Sequence, residues 1–148
     1  MSVIINGTTG IDTPAITGMT TPLSVAQGGT GATSLASANL PATNAANTFT
    51  ASQRGTVTTD NDGSFDMSVT NNFKCTPTGT FALTFTNITA GQSGYVLLVN
   101  TGGYTVTAAS TTKVNTTFLT TVTTAGTYLL SYFTDGTNVY VTTGGAMS

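Results

Sequence analysis

The chain has 148 residues, a net charge of −2 and only 5% charged residues, where an ordinary soluble domain has about 25%. That length suits one compact domain and little more. The low charge excludes disorder driven by self-repulsion, and the three scattered cations Arg54, Lys74 and Lys113 cannot neutralise a run of phosphates, so no nucleic-acid partner is expected.

Threonine takes the place of charge. It is stiff at χ1, favours pleated surfaces and presents a hydroxyl to water without a formal charge. A Thr- and Gly-rich chain of this kind is expected to be extended nearly everywhere, with few charges to protect its strand edges, and so to close them against copies of itself. Cys75 is the lone cysteine, which rules out an intrachain disulfide and a thiolate metal site. The opening MSVIINGTTG has no basic or apolar export signal, and no stretch approaches the roughly 20 apolar residues of a membrane helix. Cytoplasmic synthesis without membrane insertion is expected.

In chain order, large apolar side chains are sparse up to about Ala46 and are separated by Gly7, Gly10, Gly18, Pro14, Pro22 and Pro41. Thr33-Ser34 is a candidate N-cap for two turns of helix over LASANL, stopped by Pro41. Such a segment cannot bury enough surface to fold alone. From Phe49 onward the pattern reads as all-β. In TFALTFTN (80–87), Phe81, Leu83 and Phe85 alternate with small or hydroxylated residues, the period of a half-buried strand. SFDMSVT (64–70) places Phe65, Met67 and Val69 on one face. GYVLLVN (94–100) is continuously apolar and reads as a strand buried on both faces. Thr101-Gly102-Gly103 reads as a hairpin-like turn into YTVTAA (104–109). TYLLSYFT (127–134) and NVYVTT (138–143) flank Asp135-Gly136, which suits a tight primed turn. Six or seven short strands and no helix predict a small antiparallel sandwich or jelly-roll-like unit.

The candidate chemistry is thin. The glycines of VAQGGTGATSLASANL lack the Lys of a phosphate loop, and Ser34 stands where a dinucleotide fingerprint needs its third glycine. With no His and no Glu, acid–base work would fall to Asp, Tyr, Lys or Cys75, and no paired carboxylates stand out. Asp60-Asn61-Asp62-Gly63 with Asp66 departs from a calcium loop, because its glycine comes early and no Glu closes it; a hairpin turn is the simpler reading. No enzyme activity, cofactor or metal is expected. Tyr95, Tyr104, Tyr128, Tyr132 and Tyr140 all fall on predicted strands, where they serve equally as core, inter-chain contacts or sugar-stacking rings.

VAQGGTGATSLASANL resembles the GGTGAT-type segment of bacteriophage tail-fibre and related virion proteins, matching at Gly28, Gly29, Thr30, Gly31, Ala32, Thr33, Asn39 and Leu40. Ala38 departs from it, near a position where many such proteins carry arginine. The later run FALTFTNITAGQSGYVLLVNTGGYTVT, followed by TYLLSYFTDGTNVYV, is similar to the β-rich heads of phage fibres, with Tyr104 and Tyr140 near the usual tryptophan positions. The resemblance implies a homotrimeric structural protein of a virion. In it residues 25–48 would form a three-chain neck, with Val25, Leu35 and Leu40 toward the trimer axis and Gly28, Gly29 and Gly31 allowing close approach of chains; residues 1–24 would be an extended arm anchored on other virion proteins, and residues 49–148 a trimeric β head. The implied role is a short fibre whose head projects and touches a host-surface glycan or protein. The alternatives are a trimeric capsid decoration protein, which the short length suits, and a carbohydrate-binding module.

Overall fold

The computed structural model describes residues 46–147. The chain divides into two units, Met1–Ser52 and Gln53–Ser148. The described part of the first, residues 46–52, is exposed and without regular structure. The arm expected over 1–24, the helix over LASANL and most of the neck lie outside the described residues.

The second unit is built from strands. In order they are β1 (Val57–Thr59), β2 (Ser64–Asp66), β3 (Asn72–Cys75), β4 (Phe81–Thr86), β5 (Ser93–Asn100), β6 (Val106–Ala108) and β7 (Thr112–Val114), then β8 (Gly126–Thr134) and β9 (Val139–Met147). They form a six-stranded sheet ordered β1-β3-β5-β8-β9-β7 and a three-stranded sheet ordered β2-β4-β6. From β1 to β7 the chain changes sheet at every turn. Successive strands of one sheet therefore run the same way, and β1-β3, β3-β5, β2-β4, β4-β6 and β7-β9 all pair in parallel. Only β8 runs against its neighbours β5 and β9. The all-β expectation holds, but the antiparallel pairing expected with it does not. A chain that crosses to the opposite sheet after each short strand has no local partner to turn back on, so it winds in coils stacked rung on rung.

That winding revises several local expectations. Asn61-Asp62-Gly63 and Thr101-Gly102-Gly103 are corners between sheets, not hairpins, since β1 and β2, and likewise β5 and β6, lie in different sheets. β2 stops at Asp66, and Val69 is exposed. β5 is buried on one face only: Val96, Leu98 and Asn100 point inward while Tyr95 and Leu97 are exposed. Among the described residues one helix occurs, α1 (Phe118–Thr123), in a stretch whose β-branched residues hide it; Phe118 and Val122, one turn apart, are its buried pair. The alternation read in residues 81–86 is as expected, with Phe81, Leu83 and Phe85 inside. So is the Asp-Gly hairpin: β8 and β9 meet through residues 135–138, with Gly136 at φ +94° and the Asp135 amide donating to the Asn138 carbonyl at 3.2 Å.

One core joins the two sheets. Phe65 on β2 lies with its ring centroid 5.0 Å from that of Phe73 in the opposite sheet and 5.4 Å from that of Phe85 in its own. Phe85 in turn lies 5.1 Å from Tyr132 on β8. The corner that brings Phe65 inward turns at Gly63, which is buried with φ +84°; an added Cβ would sit 2.1 Å from a ring carbon of Phe81. Both the backbone and the space therefore demand glycine there.

Phe65→Ala should cost about 3–5 kcal/mol of unfolding free energy. Gly63→Ala should cost at least about 1–3 kcal/mol from its backbone alone. Gly79→Ala, which meets no atom within 4 Å, should leave the denaturant midpoint close to wild type. Urea titrations of the three variants check the ranking.

Candidate interaction surface

Strands with one face in the core present the other outward, and the two outward faces differ in chemistry. On the three-stranded sheet the outward positions are Ser64 and Asp66 on β2, Ala82, Thr84 and Thr86 on β4, and Thr107 on β6. That face is small and hydroxylated. On the six-stranded sheet the register aligns one outward row as Val57, Asn72, Tyr95, Ser131 and Thr142. A second row runs Thr59, Lys74, Leu97 and Leu129, and a third runs Ser93, Phe133, Tyr140 and Lys113. Tyr95 and Phe133 are 52% and 53% exposed, and Val57, Leu97, Leu129 and Tyr140 are exposed with them. Charged groups in these rows are the amines of Lys74 and Lys113, on β3 and β7 toward the two sides of the sheet.

A cavity of about 300 Å³ opens on this face, lined by Val57, Asn72, Phe73, Lys74, Tyr95, Leu97 and Leu129. Beyond it stand Phe133 and Tyr140, opposite one another on β8 and β9. Tyr140 is steadied by the hairpin loop, since its hydroxyl donates to Asp135 Oδ2 at 2.8 Å. Asp135 Oδ1 accepts from the amides of Thr137 and Asn138 at 2.8 and 2.7 Å. Those two amides, Asn138 first, and the Tyr140 hydroxyl hold the Asp135 carboxyl down to about 2; the same carboxylate raises Tyr140.

The tyrosines divide. Tyr95 and Tyr140 are on the exposed face, whereas Tyr128 and Tyr132 are buried and donate to the carbonyls of Thr124 and Asn71, each at 2.8 Å. Burial pushes Tyr132 up to about 12. Tyr104 lies before β6, outside any strand. Cys75 is fully buried; burial first, then the charges of Asp60 and Asp62, pushes its thiol up to about 12 and keeps it protonated at neutral pH.

The aspartates of the β1–β2 corner are used within the fold. Asp62 Oδ1 accepts from the Ser64 amide at 2.8 Å, and Asp66 Oδ1 accepts from the Ser68 amide and hydroxyl and from Asn87 Nδ2. Asp66 is lowered by those bonds, that of Asn87 foremost. No group of three His, Cys, Asp or Glu able to hold a metal occurs among the described residues, nor is any helix there long and apolar enough to cross a membrane. The neck residues Val25, Gly28, Gly29, Gly31, Leu35 and Leu40 lie outside the described residues.

Sequence reading placed Tyr95 and Tyr140 among its candidates but missed Val57, Leu97, Leu129 and Phe133. The available signal was the apolar character of both parities in GYVLLVN and TYLLSYFT: the second face of such a strand must be covered either by its own chain or by something else. Compared with known proteins, the chain matches no family model, no curated protein and no solved structure.

Two outcomes test the site chemistry. Because the folded pKa of Asp135 lies below its ordinary 3.8, its stabilisation is full above about pH 4 and is lost as pH falls through about 2. Thermal unfolding of Asp135→Ala should be weaker than wild type at neutral pH and should fall less steeply between pH 4 and 2. Cys75 should resist a thiol reagent at pH 8 in the folded chain and react fully once urea unfolds it.

Proposed function

We propose that this chain is a non-enzymatic structural protein of a bacteriophage virion, a short homotrimeric fibre with residues 49–148 as its projecting head. The observation that carries the reading is the combination of an apolar, nearly uncharged sheet face with a chain almost devoid of charge. A protein that stays single in solution normally breaks such a face with charge, and here the outward positions of β5, β8 and β9 carry none, the two lysines of the face standing on β3 and β7. The stacked, coil-wise winding suits an element that extends along an axis, since each rung contacts chiefly the next. The GGTGAT segment at residues 28–33 supports the same reading through its resemblance to phage fibre proteins. In that role residues 25–48 form the three-chain neck and residues 1–24 attach to other virion proteins. Contact with a host-surface glycan or protein would then fall to the head.

Immunogold labelling of intact phage particles, with an antibody raised against residues 49–148, tests this directly. Gold clustered at the tail or at a vertex is the expected result. Gold spread evenly over the heads would replace the fibre with a capsid decoration protein, and particles without gold would overturn the virion role altogether.

A further inference from the structure

We propose that the outer face of the six-stranded sheet is the interface between copies of this chain, with Phe133 of one copy seated in the cavity beside Tyr95 of another. The inference rests on the homo-oligomeric reading above and names the surface that reading leaves open.

The face is complementary to itself in shape. Its cavity lies on the β1-β3-β5 side, bordered by Leu129, while its protruding rings, Phe133 and Tyr140, stand on β8 and β9 in a different row. A dry cavity of about 150 Å³ is enough to bind benzene, so the about 300 Å³ available here takes one phenyl ring with room to spare. Phe133 lies diagonally across from Tyr95 on β5 and β8 of one chain, but the cavity runs from Tyr95 toward Leu97 and Leu129, away from Phe133, so the ring that enters it is a second copy's.

Charge points the same way. Phe133 lies two residues before Asp135, whose carboxylate is bound to Tyr140, and Lys74 is among the residues that line the cavity. Seating the β8–β9 hairpin in the cavity therefore carries an anion toward a cation. The lysine stem can lie along the apolar surface while its amine remains in water.

Area is of the right order. β5, β8 and β9 are eight to nine residues long and β1, β3 and β7 three to four, so at the usual rise and a spacing of about 4.8 Å the sheet presents roughly 570 Å² before the relief of its side chains. That is on the scale of the about 800 Å² that each partner contributes to a stable interface. The opposite face of the head, with its Ser and Thr, offers nothing comparable.

Hydroxyl-radical footprinting read by mass spectrometry, alongside sedimentation analysis of the full chain, tests the proposal. The wild type should sediment as a multiple of 14.9 kDa, with Tyr95, Phe133 and Tyr140 protected although each is about half exposed on the single chain. In Phe133→Asp, oxidation of Leu97, which lines the cavity and lies two rows along the sheet from Phe133 on its own chain, should rise several-fold. Val69→Asp, exposed and off this face, should change neither reading. A multiple in which Leu97, Tyr95 and Tyr140 label as freely as in Phe133→Asp overturns the interface and leaves the oligomer standing. A wild type at 14.9 kDa overturns both. Protection of Cys75 from a thiol reagent certifies each variant as folded; should Phe133→Asp fail that check, Leu97→Asp, read through oxidation of Phe133, takes its place.

Discussion

The contact of Phe65 with Phe73 is the point on which the head depends. These rings belong to consecutive strands of the second unit that lie in opposite sheets, and their packing closes the first coil. Because the chain crosses to the other sheet after each short strand, no strand from β1 to β7 gains a partner from its immediate sequence neighbour. Each rung is held instead by the one before it and by the core between sheets. Phe65 does both, meeting Phe73 across the core and Phe85 along its own sheet, and the chain of rings continues to Tyr132. Gly63 is what permits it: the positive φ of this residue and its lack of a Cβ beside Phe81 let the corner turn tightly enough to deliver the ring.

A chain this poor in charge must satisfy its buried crossings with neutral groups. Asn100 is fully buried and spends its amide on the Tyr104 and Val122 carbonyls at 2.8 and 2.9 Å, while its Oδ1 accepts from the Tyr104 amide at 2.9 Å. It thereby fixes the end of β5, the corner that follows and α1. Thr112 on β7 donates to the Leu83 carbonyl of β4 at 2.9 Å, a bond between the two sheets. Thr134, also fully buried, donates its hydroxyl to the Thr89 carbonyl. Among the described residues no buried side-chain nitrogen or oxygen lacks a partner. Neutral hydrogen bonds avoid the desolvation cost of buried ions, so the scarcity of charge is no handicap inside.

How much of this the sequence disclosed depended on whether the pattern was local. Phe81, Leu83 and Phe85 declare their strand because alternation is a property of the segment itself. Asp135-Gly136 declares its hairpin because the required left-handed glycine is a local demand. Pairing partners are not local. Asn61-Asp62-Gly63 has the same chemistry whether it closes a hairpin or turns a corner between sheets, so parallel winding was hidden. α1 was hidden for another reason: Phe118 and Val122 are one turn apart, but the threonines around them have the stronger preference for strand, and packing overrides it. The candidate surface was half legible. Tyrosines drew attention, whereas Leu97, Leu129 and Phe133 passed for core because nothing local distinguishes an inner face from an outer one.

Comparison of the two outward faces turns that ambiguity into an argument. Both sheets share one core, one winding and one composition rich in threonine, yet hydroxyl groups cover one outer face and aromatic and aliphatic groups the other. Composition alone would have made them alike. A face exposed to water gains nothing from Tyr95, Leu97, Leu129 and Phe133 in register across neighbouring strands, and it incurs a risk of aggregation that charge could remove. The chain does carry lysines there, but on β3 and β7, flanking central strands whose outward residues are uncharged. Charge set to the sides of an aromatic and aliphatic centre is the distribution by which protein interfaces differ from ordinary surface, and the opposite outer face has nothing like it.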